Sequence, residues 1–138
     1  MFLRVIVINM AKKIHRGGTY NINYHIVFCP KRRANVLVGN IAYDCEKYIS
    51  EKISNVNGKI ESIQIMPDHV HLFVSVPPKI APHFLVKMIK GATSNVLRKK
   101  YPQLLKLPSL WSSSYYIGTV GHVSESVVKL YIENQKNK

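Results

Sequence analysis

Apolar residues alternate with polar ones in several stretches of this chain, which is the period of a β-strand with one buried face. From Tyr20 to Phe28 every second residue is aromatic or branched aliphatic, and Pro30 ends the pattern. A weaker alternation precedes Pro67-Asp68, and a more continuous apolar run follows it. The Pro-Asp pair itself predicts a tight turn between two strands. The predicted strands cover residues 19–29, 59–65, 69–76 and 111–120.

Two longer stretches repeat apolar residues every three to four positions, the period of an amphipathic helix. The first, residues 37–56, is stopped by Asn57-Gly58. The second, residues 81–100, contains Gly91, which costs a helix about 1 kcal/mol relative to alanine and suggests close approach of a strand or a ligand. A short final helix is predicted after Ser124, a favourable N-cap.

The order β-α-β-β-α-β followed by a helix predicts an α+β fold of the ferredoxin-like, split β-α-β type, with two helices on one face of an antiparallel sheet. The chain of 138 residues suits one domain, which we expect over residues 17–138. Met10 offers an alternative start, so residues 1–16 are interpreted as an N-terminal extension. Residues 2–10 are apolar but too few to cross a bilayer, and no membrane partner is expected.

The net charge of +13 predicts a polyanion partner, either nucleic acid or an anionic membrane surface. No acidic residue precedes Asp44, and none lies between Asp68 and Glu125. Seven basic residues are candidate phosphate contacts: Lys31, Arg32, Arg33, Lys90, Arg98, Lys99 and Lys100. Each could equally be a solvated surface charge.

The two cysteines, Cys29 and Cys45, match no zinc or redox spacing. Each lies in an apolar periodic stretch, so we expect small buried thiols. That usage is typical of a reducing cytosol.

His69 and His71 carry the clearest chemical signal in the chain. Residues i and i+2 of a strand share a face, so one divalent metal could lie between the two imidazoles. Two ligands leave positions open for substrate, as a catalytic metal site requires. Single histidines on strands are more often structural, and the four other histidines are interpreted as structural or surface residues.

Tyr131 and Gln135 are four residues apart in the predicted final helix and so share a helical face. Taken alone, such a tyrosine is usually a packing residue. A glutamine carbonyl oxygen can bind a hard cation. With a nearby metal site, a tyrosine nucleophile would be suited to attack a phosphodiester.

Four blocks along the chain resemble the single-tyrosine HUH transposases of the IS200/IS605 insertion-sequence group. In order they are residues 24–31 (YHIVFCPK), 66–72 (MPDHVHL), 110–121 (LWSSSYYIGTVG) and 131–135 (YIENQ). The histidine pattern alone is weak, but the four blocks in this order are specific. The resemblance covers residues 17–135.

That resemblance implies the site residues and the reaction. His69 and His71 correspond to the metal-binding pair, Gln135 to the third ligand and Tyr131 to the nucleophile, with Mg²⁺ or Mn²⁺ as cofactor. Asp68 is a candidate for orienting a histidine. The family cuts and rejoins single-stranded DNA beside hairpins through a 5′-phosphotyrosine. It acts as a homodimer in which the tyrosine helix of one subunit completes the other subunit's site, and residues 118–121 are the expected hinge.

Three other interpretations stay open at the level of sequence. A ferredoxin-like module can bind single strands without chemistry, although the aromatic signature of an RRM is missing. A metal-dependent hydrolase using water would need the histidines and be indifferent to Tyr131. A domesticated relative acting on chromosomal repeats would have the same chain chemistry as a mobile transposase.

Overall fold

The computed structural model describes residues 13–15, 18–119 and 125–136. Within these residues, a two-stranded sheet and a four-stranded sheet are accompanied by three α-helices and by two short 3₁₀ helices at Lys31–Arg33 and Pro102–Lys106. In chain order the strands and α-helices are β1 (Lys13–His15), β2 (Gly18–Tyr20), β3 (Asn23–Phe28), α1 (Gly39–Asn55), β4 (Lys59–Met66), β5 (His69–Ser75), α2 (Pro82–Lys100), β6 (Tyr116–Thr119) and α3 (Glu125–Asn134).

The four-stranded sheet has the order β4-β5-β3-β6, and every neighbouring pair is antiparallel. Strands β3 and β5 are central. This is the ferredoxin-like order, and it confirms the predicted fold class. β1 pairs only with β2, in a sheet separate from the main one. The proposed extension at residues 1–16 lies largely outside the described residues and stays a prediction.

Strand alternation divides the sheet into two faces with different coverings. On one face, Ile26 and Phe28 of β3 join Val70, Leu72 and Val74 of β5 in the main core. Helices α1 and α2 cover this face, and their apolar stripes supply the other half of the core. The helical contributors are Ile41, Cys45, Ile49, Ile53, Leu85, Val86, Ile89 and Leu97.

On the opposite face, a smaller apolar cluster joins Val27 and Cys29 to Ile132 of α3. Helix α3 therefore lies on the face of the sheet that α1 and α2 leave open. Both cysteines are buried free thiols, as predicted, and burial raises the pKa of each to about 12. No helix in the described part of the chain is long and apolar enough to cross a membrane.

The last predicted strand is shorter than expected, and the reason is the half-buried Lys90. Only Tyr116–Thr119 joins the sheet as β6, while Trp111 forms a single bridge to Pro30. The Lys90 ammonium donates hydrogen bonds to the carbonyl oxygens of Ser112 (2.6 Å) and Ser114 (3.0 Å). Those oxygens are therefore already hydrogen-bonded to a side chain, and the chain stays irregular until β6.

The first predicted strand is divided between the two sheets. Residues 18–20 belong to β2, and pairing with β5 begins only at Asn23. The end of α1 is as predicted: Asn57 takes a positive φ of 61°, and Gly58 follows it. A Cβ on Gly58 would lie 2.9 Å from Ile53 Cγ2, so a larger residue would force this turn to shift.

Candidate active site on the open face of the sheet

His69 and His71 lie on β5 with their side chains on the α3 face, because Val70 and Leu72 point into the main core. Both histidines are buried. Two imidazoles on adjacent same-face positions of one strand are the arrangement that the sequence predicts for a divalent metal.

Asp68 fixes the orientation of His69. Its Oδ1 lies 2.9 Å from His69 Nδ1, and its Oδ2 forms an ion pair with Arg33 Nε at 2.9 Å. An ionised carboxylate only accepts hydrogen bonds, so Nδ1 carries the proton and the lone pair of His69 is on Nε2. Burial lowers the pKa of His69 despite the neighbouring carboxylate. The imidazole is thus neutral, the form that binds metals.

His25 is a part of this site that the sequence did not single out. It lies on the same sheet face, on β3, and its ring stacks on that of His71 with centroids 4.0 Å apart and an interplanar angle of 19°. The ring is buried, and among the described residues its Nε2 has no hydrogen-bond partner. The stack restricts the orientation of His71. Cross-strand neighbours depend on register, which the sequence pattern did not reveal.

His25 makes the stability of the protein depend on pH. Burial, and secondarily His71, lowers its pKa from 6.5 to about 4. Between these values the unfolded chain binds a proton that the folded protein excludes, so the free energy of unfolding falls as the pH falls. The variant His25→Phe keeps an aromatic ring and cannot titrate. Between pH 7 and pH 4.5 we expect its free energy of unfolding to fall by about 2 kcal/mol less than that of wild type. Urea titrations at the two pH values measure this; equal losses would contradict it.

Helix α3 brings Tyr131 and Gln135 to the same face of the sheet as the histidines, through the contact of Ile132 with Val27 and Cys29. Tyr131 is half-buried, and its hydroxyl lies 3.3 Å from Ser114 Oγ. Burial raises the pKa of Tyr131 to about 12. In this position the phenol is protonated at neutral pH.

Gln135 is almost completely buried and held by two serines. Its Oε1 accepts hydrogen bonds from Ser112 Oγ (2.7 Å) and Ser114 Oγ (2.9 Å), and its Nε2 donates to the carbonyl of Tyr131 (3.2 Å). A carbonyl oxygen has two lone pairs, and both are used here. Binding a metal through this oxygen requires at least one serine to release it. The structure therefore shows α3 docked on the sheet with Gln135 Oε1 occupied by the serine hydroxyls.

The serine pair (Ser112 and Ser114) should control how firmly α3 is docked. We expect the double variant Ser112→Ala/Ser114→Ala to increase amide hydrogen exchange in residues 125–136 by about 30-fold, since the two lost hydrogen bonds to Gln135 contribute about 1 kcal/mol each. The exposed Ser113, which lies between them, provides the matched control Ser113→Ala. Exchange mass spectrometry that finds the double variant equal to this control would rule out the docking role.

Four of the seven candidate phosphate contacts already make contacts within the fold. Arg33 binds Asp68, and Lys90 binds backbone carbonyls of residues 109–114, here called the serine segment. Burial lowers the pKa of Lys90 to about 8. Arg98 donates to the carbonyls of Leu107 (3.1 Å) and Pro108 (3.4 Å).

Lys100 pairs with Asp44 at 2.7 Å, and Tyr101 donates to the same carboxylate at 2.5 Å, so this group ties α2 to α1. The other three candidates are Lys31, Arg32 and Lys99, whose side chains form no ion pair within the described residues. The phosphate-binding role of all seven stays a prediction.

The donor set suits a divalent metal only in part. Within the described ranges, no three histidine, cysteine, aspartate or glutamate side chains are arranged to hold an ion. The neutral His69, with its proton fixed on Nδ1, and the adjacent His71 fit as two nitrogen donors. Gln135 fits as a third donor only after release from the serine pair. The roles of these residues as ligands, and of Tyr131 as nucleophile, stay predictions.

Other residues expected to take part fall outside the described ranges. The predicted N-cap Ser124 and half of the proposed hinge, residues 120–121, are among them, while Gly118 lies within β6. The role of Ser112 and Ser114 could not be read from the serine-rich sequence, because serines beside turns are common. Only the docked position of α3 reveals that they bind Gln135.

Comparisons with known proteins show the family to which the chain belongs. The family model for IS200-like transposases matches residues 18–135. The ISDra2 transposase TnpA of Deinococcus radiodurans is 37% identical over 137 residues, which cover 96% of this chain and 97% of that protein. The transposase for insertion sequence element IS200 of Salmonella typhimurium is 27% identical over 119 residues, covering 84% and 78%.

Solved structures give the same result. A crystal structure of a Deinococcus radiodurans R1 protein described as a transposase matches with a TM-score of 0.84 and 30% identity, covering 91% of this chain and 99% of that one. A REP-associated tyrosine transposase bound to a REP hairpin shares the fold, with a TM-score of 0.55 at 10% identity over 95% of this chain and 69% of that one. The extent of the family match and the relative at 37% identity lead to one conclusion: this chain belongs to the IS200-like transposase family.

Proposed function

We propose that this transposase cleaves and rejoins single-stranded DNA next to hairpins at insertion-sequence ends, through a covalent 5′-phosphotyrosine on Tyr131. The observation that carries the proposal is the shared sheet face: the histidine pair of β5 and the tyrosine helix α3 occupy the same side. Family membership supports DNA cleavage and strand transfer in general. The hairpin bound to the REP-associated relative supports a hairpin substrate.

The reaction follows from the chemistry of a phenol and a phosphodiester. Tyr131 Oη attacks phosphorus, the new P–O bond to tyrosine forms and the bond to the 3′ oxygen breaks. The phenol proton is lost, and the departing 3′ oxygen gains one. The phosphotyrosine retains the energy of the phosphodiester, so a 3′-hydroxyl can reverse the step and seal a new junction.

His69, His71 and a released Gln135 would hold Mg²⁺ or Mn²⁺. When bound, that cation neutralises charge developing on the non-bridging oxygens of the scissile phosphate. Asp68 keeps the His69 proton on Nδ1, and His25 restricts the ring of His71. These two neighbours would orient the two histidine ligands.

The resting position of Gln135 supports a further part of the proposal, which is that α3 moves before cleavage. The serine pair occupies Gln135 Oε1, and Tyr131 is protonated in an apolar contact with the sheet. In the active arrangement that we propose, the chain is a homodimer and α3 of one subunit completes the histidine site of the other.

The experiment that tests this proposal uses labelled single-stranded DNA with a hairpin from the flanks of the gene, with Mg²⁺ or Mn²⁺. Wild type should give a protein–DNA band on a denaturing gel. Neither His71→Ala nor Tyr131→Phe should give this band alone, but a mixture of the two proteins should give it. A dimer of one copy of each variant contains one intact site only if each site combines residues of both subunits.

Three results would point elsewhere. No recovery in the mixture would mean that each site is completed within one chain. Cutting without a covalent band would indicate a hydrolase that uses water. Tight binding with no cutting under either metal would indicate a binding module.

A further inference from the structure

A groove runs along the outer side of α2 and is separate from the histidine face. Its deeper part is a cavity of about 450 Å³ between α2 and residues 109–115. A second depression of about 610 Å³ continues along the helix, and the two share Gly91 and Ser94. Together they form the α2 groove.

The lining of the α2 groove is basic at its edges and apolar at one wall. Lys31, Lys87 and Lys90 line the deeper part, and Arg98 and Lys99 line the continuation; neither part has a carboxylate in its lining. The apolar wall of the deeper part includes the ring of Tyr115. Cationic edges beside an aromatic wall complement an anionic ligand that carries a flat apolar surface.

Gly91 lies where the two depressions meet. Mid-helix glycine is unfavourable, and a close approach of another strand is the usual structural reason. Here a Cβ on Gly91 would meet no atom of the described residues within 4 Å beyond its own helix backbone, so packing against those residues does not require glycine. The missing side chain instead leaves the floor of the groove open, which is what a ligand lying across the helix would need.

We propose that the α2 groove is a binding site for an unpaired nucleotide of single-stranded DNA. Its base lies over Gly91 against Tyr115, and its flanking phosphates contact Lys87 and Arg98. An unpaired base exposes the flat face that stacks on an aromatic ring, whereas a base inside a duplex does not. This inference rests on the proposed function, because it assigns a place to the single-stranded part of that substrate.

The test is a binding measurement that does not depend on cleavage. Fluorescence anisotropy without divalent metal compares a blunt hairpin with the same hairpin carrying a single-stranded extension of about six nucleotides. In wild type the extension should increase affinity by about tenfold, the size of one base-stacking contact. Gly91→Leu, which fills the floor, should lose that gain, and blunt-hairpin affinity should not change.

Gly91→Ala is the matched control, because its Cβ points into open space and leaves most of the groove free. It should keep the gain from the extension. Both variants replace glycine by a better helix former, and thermal unfolding followed by circular dichroism checks that they fold. A second variant, Lys87→Gln, should remove about one phosphate contact. The slope of the logarithm of the binding constant against the logarithm of salt concentration should therefore become less steep by about one for the extended hairpin.

The proposal is overturned if Gly91→Leu keeps the full gain from the extension, or if wild type shows no gain. Failure of the proposed function would be seen separately, as the lack of a covalent band with wild type and divalent metal. A covalent band together with an unchanged Gly91→Leu variant would reject the groove alone.

Discussion

Replacing Tyr131 with phenylalanine is expected to abolish covalent capture of DNA and to reduce cleavage by at least about 10⁴-fold, the scale seen when a nucleophile is removed. The substitution removes one hydroxyl and keeps the ring that packs beside Val27, Cys29 and Ile132. The helix should therefore still dock, and the loss should be chemical. Rates under single-turnover conditions with hairpin-flanked single-stranded DNA measure it.

Tyr116 provides a matched control for that variant. Its side chain packs against the same small cluster, but it lies on β6. Tyr116→Phe should retain the covalent product. A Tyr131→Phe protein that still forms the adduct would show that another residue is the nucleophile, and one that cuts without an adduct would show that water attacks.

The second large effect is expected at the histidine pair. His71→Phe keeps an aromatic ring for the stack on His25 and removes the nitrogen that would bind metal. We expect cleavage to fall by about 10²- to 10³-fold, because a bound cation contributes several kcal/mol to stabilising charge on a phosphoryl group. Excess Mn²⁺ should not restore the rate.

Metal binding itself distinguishes a lost ligand from a damaged fold. Electron paramagnetic resonance of free Mn²⁺ should show weaker binding by His71→Phe than by wild type. The exposed His83 is hydrogen-bonded to Tyr115 and lies outside the candidate metal site, so His83→Phe should bind Mn²⁺ as wild type does. Equal Mn²⁺ affinity in wild type and His71→Phe would exclude His71 as a ligand.

The local pattern of apolar and polar residues was sufficient to predict the fold class and part of the candidate site. The alternation through Ile26 and Phe28 identified the core face of β3, and the spacing of His69 and His71 placed both on one face of β5. These features depend on strand period alone, which is a property of neighbouring residues. The predicted turn at Pro67-Asp68 also brings Asp68 to His69, its sequence neighbour.

Features that depend on contacts across the fold could not be predicted in the same way. Nothing local indicated that Lys90 would bind the carbonyls of Ser112 and Ser114, 22 and 24 residues away, and so shorten the last strand. The stacking of His25 on His71 requires the register of two strands. The capture of Gln135 by serines depends on where α3 docks, which the helical period does not specify.

The serine segment connects the two surfaces that the proposals concern. Its hydroxyls hold Gln135 on the histidine face, and residues 109–113 line the α2 groove on the other side. Lys90 contacts both, since it lines the groove and binds the backbone of the segment.

The most direct test of the central claim is to identify the amino acid that carries the DNA. Wild-type protein would be incubated with hairpin-flanked single-stranded DNA and Mn²⁺, digested with nuclease and protease, and analysed by tandem mass spectrometry. The account predicts a nucleotide attached through its 5′ phosphate to Tyr131 in a peptide from α3. Attachment to any other residue, or efficient cleavage that leaves every peptide unmodified, would contradict it.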